Sequence, residues 1–223
     1  SFVVLRHDDG RRERVPASMP RALRTEEMPR LIEDFAHAVR CAKAAGFDGV
    51  EVHAANSYLI NQFLSGGLND RADAWGGSIE NRMRLLLSFV DAASEAFSSA
   101  RVGVRLSPMG SVNELAAHHD DEECMRRVAT ELGKRKLAYL HLYHHHWGKE
   151  GWSGRFHEGL CREMRTRFDG PIVLNGYGTD VAGAQRDLDH GLGDAVAFGK
   201  LATSNPDLPA RLAHGTPLAH WDD

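Results

Sequence analysis

The sequence predicts an α/β protein in which parallel strands are joined by helices, in a barrel rather than an open sheet. Segments with helical spacing of apolar residues alternate with short apolar strands five times, and a helix closes the series. Alternation with short connections is typical of a parallel sheet with helical crossovers. We therefore expect a single domain over residues 1–223.

The alternation of side chains favours the barrel. In segment 101–107, valine and leucine alternate with glycine, arginine and serine, and segment 138–143 alternates leucines with tyrosines and a histidine. Strands of an open doubly wound sheet are apolar on both faces. Here one face can pack on helices, and the other suits a barrel interior with a ligand at its mouth. The predicted class is a (β/α)8 barrel.

Turn and capping residues place the individual elements. Asp8-Asp9-Gly10 predicts a turn between two short strands. Thr25 is predicted as the N-cap of the first helix, which Gly46 ends. Ser78 is predicted to cap another helix after a long loop, 65–77. The predicted strands are 49–53, 101–107, 138–143, 171–175 and 195–199. The further predicted helices lie near 59–64, 121–134, 157–168, 180–191 and 206–213.

Composition excludes several classes of protein. The formal charge of −4, without a long Lys/Arg cluster, argues against a nucleic-acid surface. No apolar run approaches the ~20 residues of a membrane span. The three cysteines are far apart and form no C-x-x-C pair, which predicts reduced thiols in a cytoplasmic protein.

The stretch 50–58 is the candidate site. A short apolar strand ends in His53 and is followed by Asn56 and Tyr58, so an imidazole, a carboxamide and a phenol occur within six residues. His53 lies on the strand face that the valines do not use. These groups can donate hydrogen bonds to a carbonyl oxygen, and Tyr58 can also deliver a proton.

Two clusters of histidines carry side chains of the kind that bind metals, but the spacing of the histidines does not favour a metal site. They are His118-His119-Asp120-Asp121 and His144-His145-His146. Adjacent histidines point in different directions, and neither H-x-x-x-H nor H-E-x-x-H spacing occurs. We expect solvated loops and no metal.

Several motifs resemble those of the old yellow enzyme family, the FMN-dependent ene reductases, and the resemblance covers roughly 16–215. The stretch 46–64 matches that family's signature almost in full, including His53, Asn56 and Tyr58. The other similar stretches are 69–82, 102–108, 195–199 and 205–208. The resemblance implies a TIM-type barrel that holds FMN and is reduced by NAD(P)H. Because no G-x-G-x-x-G motif follows a strand, the nicotinamide is expected to bind transiently over the flavin.

The resemblance implies roles for the residues of stretch 50–58. His53 and Asn56 would bind the activating oxygen of a small α,β-unsaturated substrate, and stabilise negative charge as hydride reaches the β-carbon. Tyr58 would protonate the α-carbon. The alternatives are a core histidine, a loop-capping asparagine and a packing tyrosine.

The resemblance also implies cofactor contacts. Arg105 would lie beside flavin N1 and the C2 carbonyl, where its charge favours reduced flavin; the alternative is an interior ion pair with Glu51. Asn175 and Gly176, with Gly199 and Lys200, would bind the phosphate, or form plain turns. The family usually has glycine in place of Asn175 and arginine in place of Lys200.

The chain is shorter than members of that family and carries the last five strand–helix units. Five parallel strands leave two unpaired edges, so a fragment or truncated product is expected. A missing N-terminal segment, a partner chain or a homo-oligomer would cover the edges. The alternative function is a non-catalytic remnant or interaction protein without flavin. The related dienoyl-CoA reductases carry a cysteine cluster that is not found here.

Overall fold

The computed structural model describes residues 2–108, 118–143 and 158–220. A small antiparallel hairpin comes first and a five-stranded parallel sheet follows. The hairpin strands are β1 (Phe2–Arg6) and β2 (Arg12–Pro16). The parallel strands are β3 (Val50–Ala54), β4 (Val102–Leu106), β5 (Tyr139–Tyr143), β6 (Ile172–Asn175) and β7 (Ala195–Ala197). The helices are α1 (Met28–Ala44), α2 (Leu59–Leu64), α3 (Ile79–Phe97), α4 (Asp121–Lys134), α5 (Glu158–Arg167), α6 (Val181–Asp189), α7 (Lys200–Ser204) and α8 (Leu208–His214).

The order of the strands in the sheet is their order in the chain, β3-β4-β5-β6-β7. An open doubly wound sheet reverses its strand order at a switch point, and this sheet does not. Right-handed crossovers that always step in the same direction place all the helices on one side. The sheet is therefore a segment of a barrel wall, as the sequence predicts.

The hydrophobic core lies between the sheet and its helices. Val104 and Leu106 of β4, with their neighbours on β5, are fully buried. They pack on apolar residues of α3, α4 and α5 that belong to the same cluster. On the outer side, the rings of Phe35 on α1 and Phe89 on α3 stack with centroids 4.0 Å apart. The apolar face that the alternation predicts is thus the helix-covered face.

Three local predictions are confirmed. Gly10 has φ +81° in the turn between β1 and β2. Gly46 has φ +87° after α1, and the Phe47 N–H donates to the Ala42 carbonyl at 3.2 Å, which ends the helix. The Ser78 side chain accepts a hydrogen bond from the Asn81 N–H at 3.3 Å and caps α3.

The Thr25 N-cap is wrong. Thr25 begins a 3-10 turn that leads into α1, with Arg24 as the preceding cap residue, whose N–H donates to the Glu27 carboxylate at 2.7 Å. The Thr25 hydroxyl instead donates to Asp73 in the 65–77 loop. A local sequence pattern cannot show that the hydroxyl will hydrogen-bond to a carboxylate that is distant in the chain.

The ends of some elements also differ from the prediction. Residues 99–101 form a 3-10 turn before β4, and β7 ends at Ala197. The short helix α7 had no counterpart in the predicted elements. Within the described ranges, no helix has the length and apolar character that crossing a membrane requires.

Internal hydrogen bonds hold the long 65–77 loop in place. The Asn69 side-chain amide donates to the Phe63 and Trp75 carbonyls, at 2.8 Å each. The Arg71 guanidinium contacts Asp73, and their side chains are only 15% and 24% exposed. Hydrogen bonds from Arg71 and Thr25 lower the pKa of Asp73 well below its usual range. The loop is therefore a fixed wall beside α2.

Candidate active site at the carboxyl end of the sheet

Polar side chains line the sheet face that the helices do not cover. The strand register pairs His53 of β3 with Arg105 of β4, and Arg105 with His141 of β5. The row continues with Val173 and Ala195 on the last two strands. Two imidazoles and a guanidinium thus lie side by side on neighbouring strands. The face that the sequence predicts as polar is confirmed in its position.

The turn after β3 has an unusual backbone that β4 holds in place. Asn56 and Ser57 both lie in the left-handed region, with φ +58° and +60°. The Asn56 N–H donates to Ser107 Oγ at 3.0 Å, and the Ser107 hydroxyl donates to Asn56 Oδ1 at 3.1 Å. Because Asn56 Oδ1 already accepts the hydrogen bond from Ser107, the Asn56 Nδ2 group is oriented so that its hydrogens can donate to a ligand.

His53 and Tyr58 lie at the mouth of the face. Their ring centroids are 5.3 Å apart, with an angle of 54° between the planes. Tyr58 is 60% exposed and immediately precedes α2. Burial and the charge of Arg105 lower the pKa of His53, against the opposing charge of Glu51. At neutral pH, His53 is therefore an uncharged imidazole that can donate one hydrogen bond.

Arg105 has no carboxylate partner among the described residues. Its Nε is buried without a hydrogen-bond partner, and its guanidinium carbon lies 5.1 Å from the centre of the Tyr143 ring. Glu51 instead contacts His141 Nδ1 at 2.8 Å. The alternative of an interior ion pair between Arg105 and Glu51 is therefore wrong. A guanidinium placed in this way is suited to an anionic or carbonyl-rich ligand.

The four residues suggested for phosphate binding lie further along the same edge. Asn175 is the last residue of β6 and Gly176 follows it, and Gly199 and Lys200 lie just after β7, with Asn175 paired to Ala197 in the register. Gly176 has φ +112°, and a Cβ at Gly199 would meet open space. Two to three strand spacings, about 10–15 Å, separate these turns from Arg105. Only an extended ligand could contact both.

The structure places the predicted residues in two groups. His53, Asn56, Tyr58 and Arg105 converge where β3 and β4 end, and the two turns lie beyond β6 and β7. Sequence reasoning did not select Ser107, Glu51, His141 or Tyr143 as site residues. The alternation along β4 and β5 placed Ser107, His141 and Tyr143 on the polar face, and that signal could have identified them.

The first histidine cluster is part of an ion-pair network. Donor atoms of His118, His119 and Asp120 lie within 4.8 Å of one another. Asp120 contacts His118 Nδ1 and the buried Arg82, each at 2.6 Å. Both Asp120 oxygens therefore have partners. His144-His145-His146 lies outside the described residues, and the prediction of no metal stays a prediction.

Comparison with known proteins identifies the family. Residues 6–219 match the model of the NADH:flavin oxidoreductase / NADH oxidase family, so the chain belongs to that family. It is an old yellow enzyme-type chain, and its five-stranded sheet is part of a TIM-type barrel.

Individual relatives agree with this assignment. The chain is 38% identical over 208 residues to "Probable flavin mononucleotide-dependent alkene reductase" of Leishmania infantum, a match that covers 91% of this chain and 53% of the relative. It is 38% identical over 211 residues to 12-oxophytodienoate reductase-like protein 1 of Arabidopsis thaliana, covering 95% and 63%.

Solved structures support the same family assignment. Morphinone reductase superposes with a TM-score of 0.90 at 43% identity, covering 100% of this chain and 58% of that one. An old yellow enzyme homologue from Zymomonas mobilis superposes with a TM-score of 0.84 at 37% identity, covering 93% and 58%. The chain thus spans little more than half the length of the proteins it matches.

Proposed function

We propose that this protein is an FMN-dependent ene reductase that uses NAD(P)H to reduce the C=C bond of α,β-unsaturated carbonyl or nitro compounds. One observation carries the proposal. A guanidinium without a carboxylate partner, Arg105, lies beside an uncharged imidazole, His53, at the carboxyl end of a barrel sheet. Active sites of such barrels lie at that end.

The residues present fit FMN. Arg105 would hold the electron-rich edge of the flavin ring, since its buried Nε has no partner in the described chain. Asn175, Gly176, Gly199 and Lys200 would hold the phosphate, with Lys200 as a point charge rather than a bidentate fork. The chemistry that FMN supplies when bound is hydride transfer, from NAD(P)H and then through N5 to the substrate β-carbon.

The residues of β3 and its turn would handle the substrate. His53 donates a hydrogen bond to the substrate oxygen without adding charge, and the Asn56 amide, oriented by Ser107, donates a second one. The Tyr58 phenol gives its proton to the α-carbon. Both half-reactions use one site in turn, so ping-pong kinetics are expected.

The first experiment is a titration of the purified chain with FMN, followed by flavin fluorescence and absorbance. Saturable binding with a shifted flavin spectrum supports the enzyme. The second is Tyr58→Phe, which should slow alkene reduction while sparing flavin reduction by NAD(P)H. Equal loss of both half-reactions would contradict the role given to Tyr58.

A second candidate function is a non-catalytic remnant or interaction protein. The 60% exposure of Tyr58, the proposed proton donor, favours it. In that case the chain would stay colourless, and added FMN would not bind. The same titration therefore separates the two functions.

We also propose that three further strands complete the single FMN-binding domain of residues 1–223. Among the described strands, β3 and β7 each have a neighbour on one side only, and a closed barrel of this class has eight strands. A longer form of the chain, a partner chain or a second copy could supply them. Native mass spectrometry of the purified chain would show whether a second copy supplies them.

The three cysteines of the chain bear on its location. Cys41, Cys124 and Cys161 are free thiols, which fits the proposed cytoplasmic location.

A further inference from the structure

Next to Arg105, on the same face of the sheet, lies a compact hydrogen-bonded cluster that the proposed chemistry does not use. It consists of Glu51, Tyr139 and His141. His141 is only 7% exposed, and its Nδ1 lies 2.8 Å from Glu51 Oε2. The Tyr139 hydroxyl also hydrogen-bonds to Glu51. Burial, together with the charge of Glu51, raises the pKa of Tyr139 to about 12, so its phenol stays protonated and donates.

A glycine makes this cluster possible. The register places Gly103 of β4 between Glu51 of β3 and Tyr139 of β5. A Cβ at Gly103 would lie 2.3 Å from the Tyr139 ring, so any larger residue would displace the ring. Side chains of β3 and β5 thus meet across β4, next to the strand position that carries Arg105.

The contact with Glu51 determines where the His141 ring carries its hydrogen. Burial opposes the charge of Glu51, but hydrogen bonds from His141 and Tyr139, with the nearby charge of Arg105, lower its pKa below the ordinary value. An ionised carboxylate only accepts hydrogen bonds, so the hydrogen lies on His141 Nδ1. In the uncharged ring, Nε2 is then an acceptor.

Two unsatisfied buried atoms are complementary in this arrangement. Within the described residues, His141 Nε2 and Arg105 Nε are both buried without a hydrogen-bond partner; Nε2 is an acceptor in the uncharged ring, and Nε–H is a donor. Their residues are paired in register on neighbouring strands, which are about 4.8 Å apart. Buried polar atoms of this kind are normally paired, and a shared link would satisfy both.

We propose that His141 is a positioning residue for Arg105. Glu51 holds His141 in the Nδ1–H tautomer, and one water links the two side chains by accepting a hydrogen bond from Arg105 Nε–H and donating one to His141 Nε2. This link fixes the guanidinium so that its terminal N–H groups face the flavin. The inference rests on the proposed function because FMN is the ligand that Arg105 would bind.

Three measurements on the full chain test it. Long-range 15N–1H NMR of the labelled protein, with the His141 signals assigned by His141→Phe, should show hydrogen on Nδ1 and a bare Nε2 at pH 7. His141→Phe should weaken FMN binding about tenfold, as expected for a lost hydrogen bond to a charged group. The potential of bound FMN should fall, since a displaced Arg105 favours reduced flavin less; each tenfold loss of that preference equals about 30 mV.

Tyr139→Phe is the matched control. It keeps the ring over Gly103 and removes only the second hydrogen bond to Glu51, so FMN affinity and potential should stay within about twofold and a few millivolts of wild type. A role of His141 in packing alone would lower stability without moving the potential, which would overturn the proposal.

The remaining outcomes are also decisive. Hydrogen on His141 Nε2, in either the other tautomer or the cation, overturns the proposal. If His141→Phe does not fold, the tautomer in the wild-type chain decides. If wild type does not bind FMN at all, the proposed function fails, and the tautomer still shows whether Glu51 orders His141 as described.

Discussion

Replacing Arg105 with methionine should lower both the stability of the chain and its affinity for FMN. Through the proposed link, Arg105 Nε–H satisfies the buried His141 Nε2, and losing the link leaves that acceptor unpaired, which costs about 1–3 kcal/mol. The contact with the Tyr143 ring contributes about 0.5–1 kcal/mol more. Methionine keeps the length of the side chain and removes both interactions. We therefore expect the flavin-free chain to lose about 2 kcal/mol in its free energy of unfolding.

FMN binding should weaken as well. Hydrogen bonds from a charged donor contribute about 1.5–3 kcal/mol, so affinity should fall roughly 10- to 150-fold. Urea unfolding followed by circular dichroism gives the stability, and quenching of flavin fluorescence gives the affinity. Arg101→Met is the control, because Arg101 is an exposed arginine just before the same strand. A destabilised Arg105→Met chain with unchanged FMN affinity would refute the reasoning, since Arg105 would then serve the fold alone.

Three further changes test the geometry of the site and its wall. Ser107→Ala removes both hydrogen bonds to Asn56 and should cost about 1–2 kcal/mol of stability and raise the KM for the alkene, measured by denaturation and steady-state kinetics. Gly103→Ala should cost about 1–3 kcal/mol in urea unfolding, because its Cβ would overlap the Tyr139 ring. Asp73→Asn should destabilise the chain at pH 7. The difference from wild type should shrink steadily as the pH falls below about 4, because the unfolded carboxyl then takes up a proton while the folded carboxyl, with its lowered pKa, is still ionised.

Each of these changes has a matched control. Ser88→Ala removes an exposed hydroxyl that bonds only within α3. Gly159→Ala places a methyl group in open space on α5. Asp48→Asn neutralises a carboxylate that is 99% exposed. A control as harmful as its partner, or an Asp73→Asn deficit that is as large at about pH 2 as at pH 7, would contradict the corresponding explanation.

The spacing of apolar residues and the identity of turn residues were enough to predict most of the fold. Apolar spacing located the parallel strands and the long helices within a few residues, and the turn residues at Gly10, Gly46 and Ser78 were placed correctly. The error at Thr25 has a tertiary cause, since the partner of its hydroxyl, Asp73, lies 48 positions away. The short helix α7 has too few residues for a periodic signal.

The individual residues of the candidate site could be predicted from the sequence, but the contacts between them could not. Strand alternation puts His53 and Arg105 on one face, but only the register shows that they are neighbours. The Asn56–Ser107 hydrogen bonds and the Glu51–His141 contact join residues 51 and 90 positions apart. The alternative of an ion pair between Arg105 and Glu51 is wrong for the same reason, since a better-placed partner of Glu51, His141, comes from another strand.

The left-handed backbone at Asn56 and Ser57 has a consequence for engineering this chain. Glycine adopts that conformation without steric cost, whereas most other side chains do not. A randomised library at position 56 screened for thermal tolerance should therefore retain both glycine and asparagine, because the asparagine side chain also accepts a hydrogen bond from Ser107, and one screened for turnover should retain asparagine alone. Selecting for robustness first would let glycine replace the amide donor before turnover is measured.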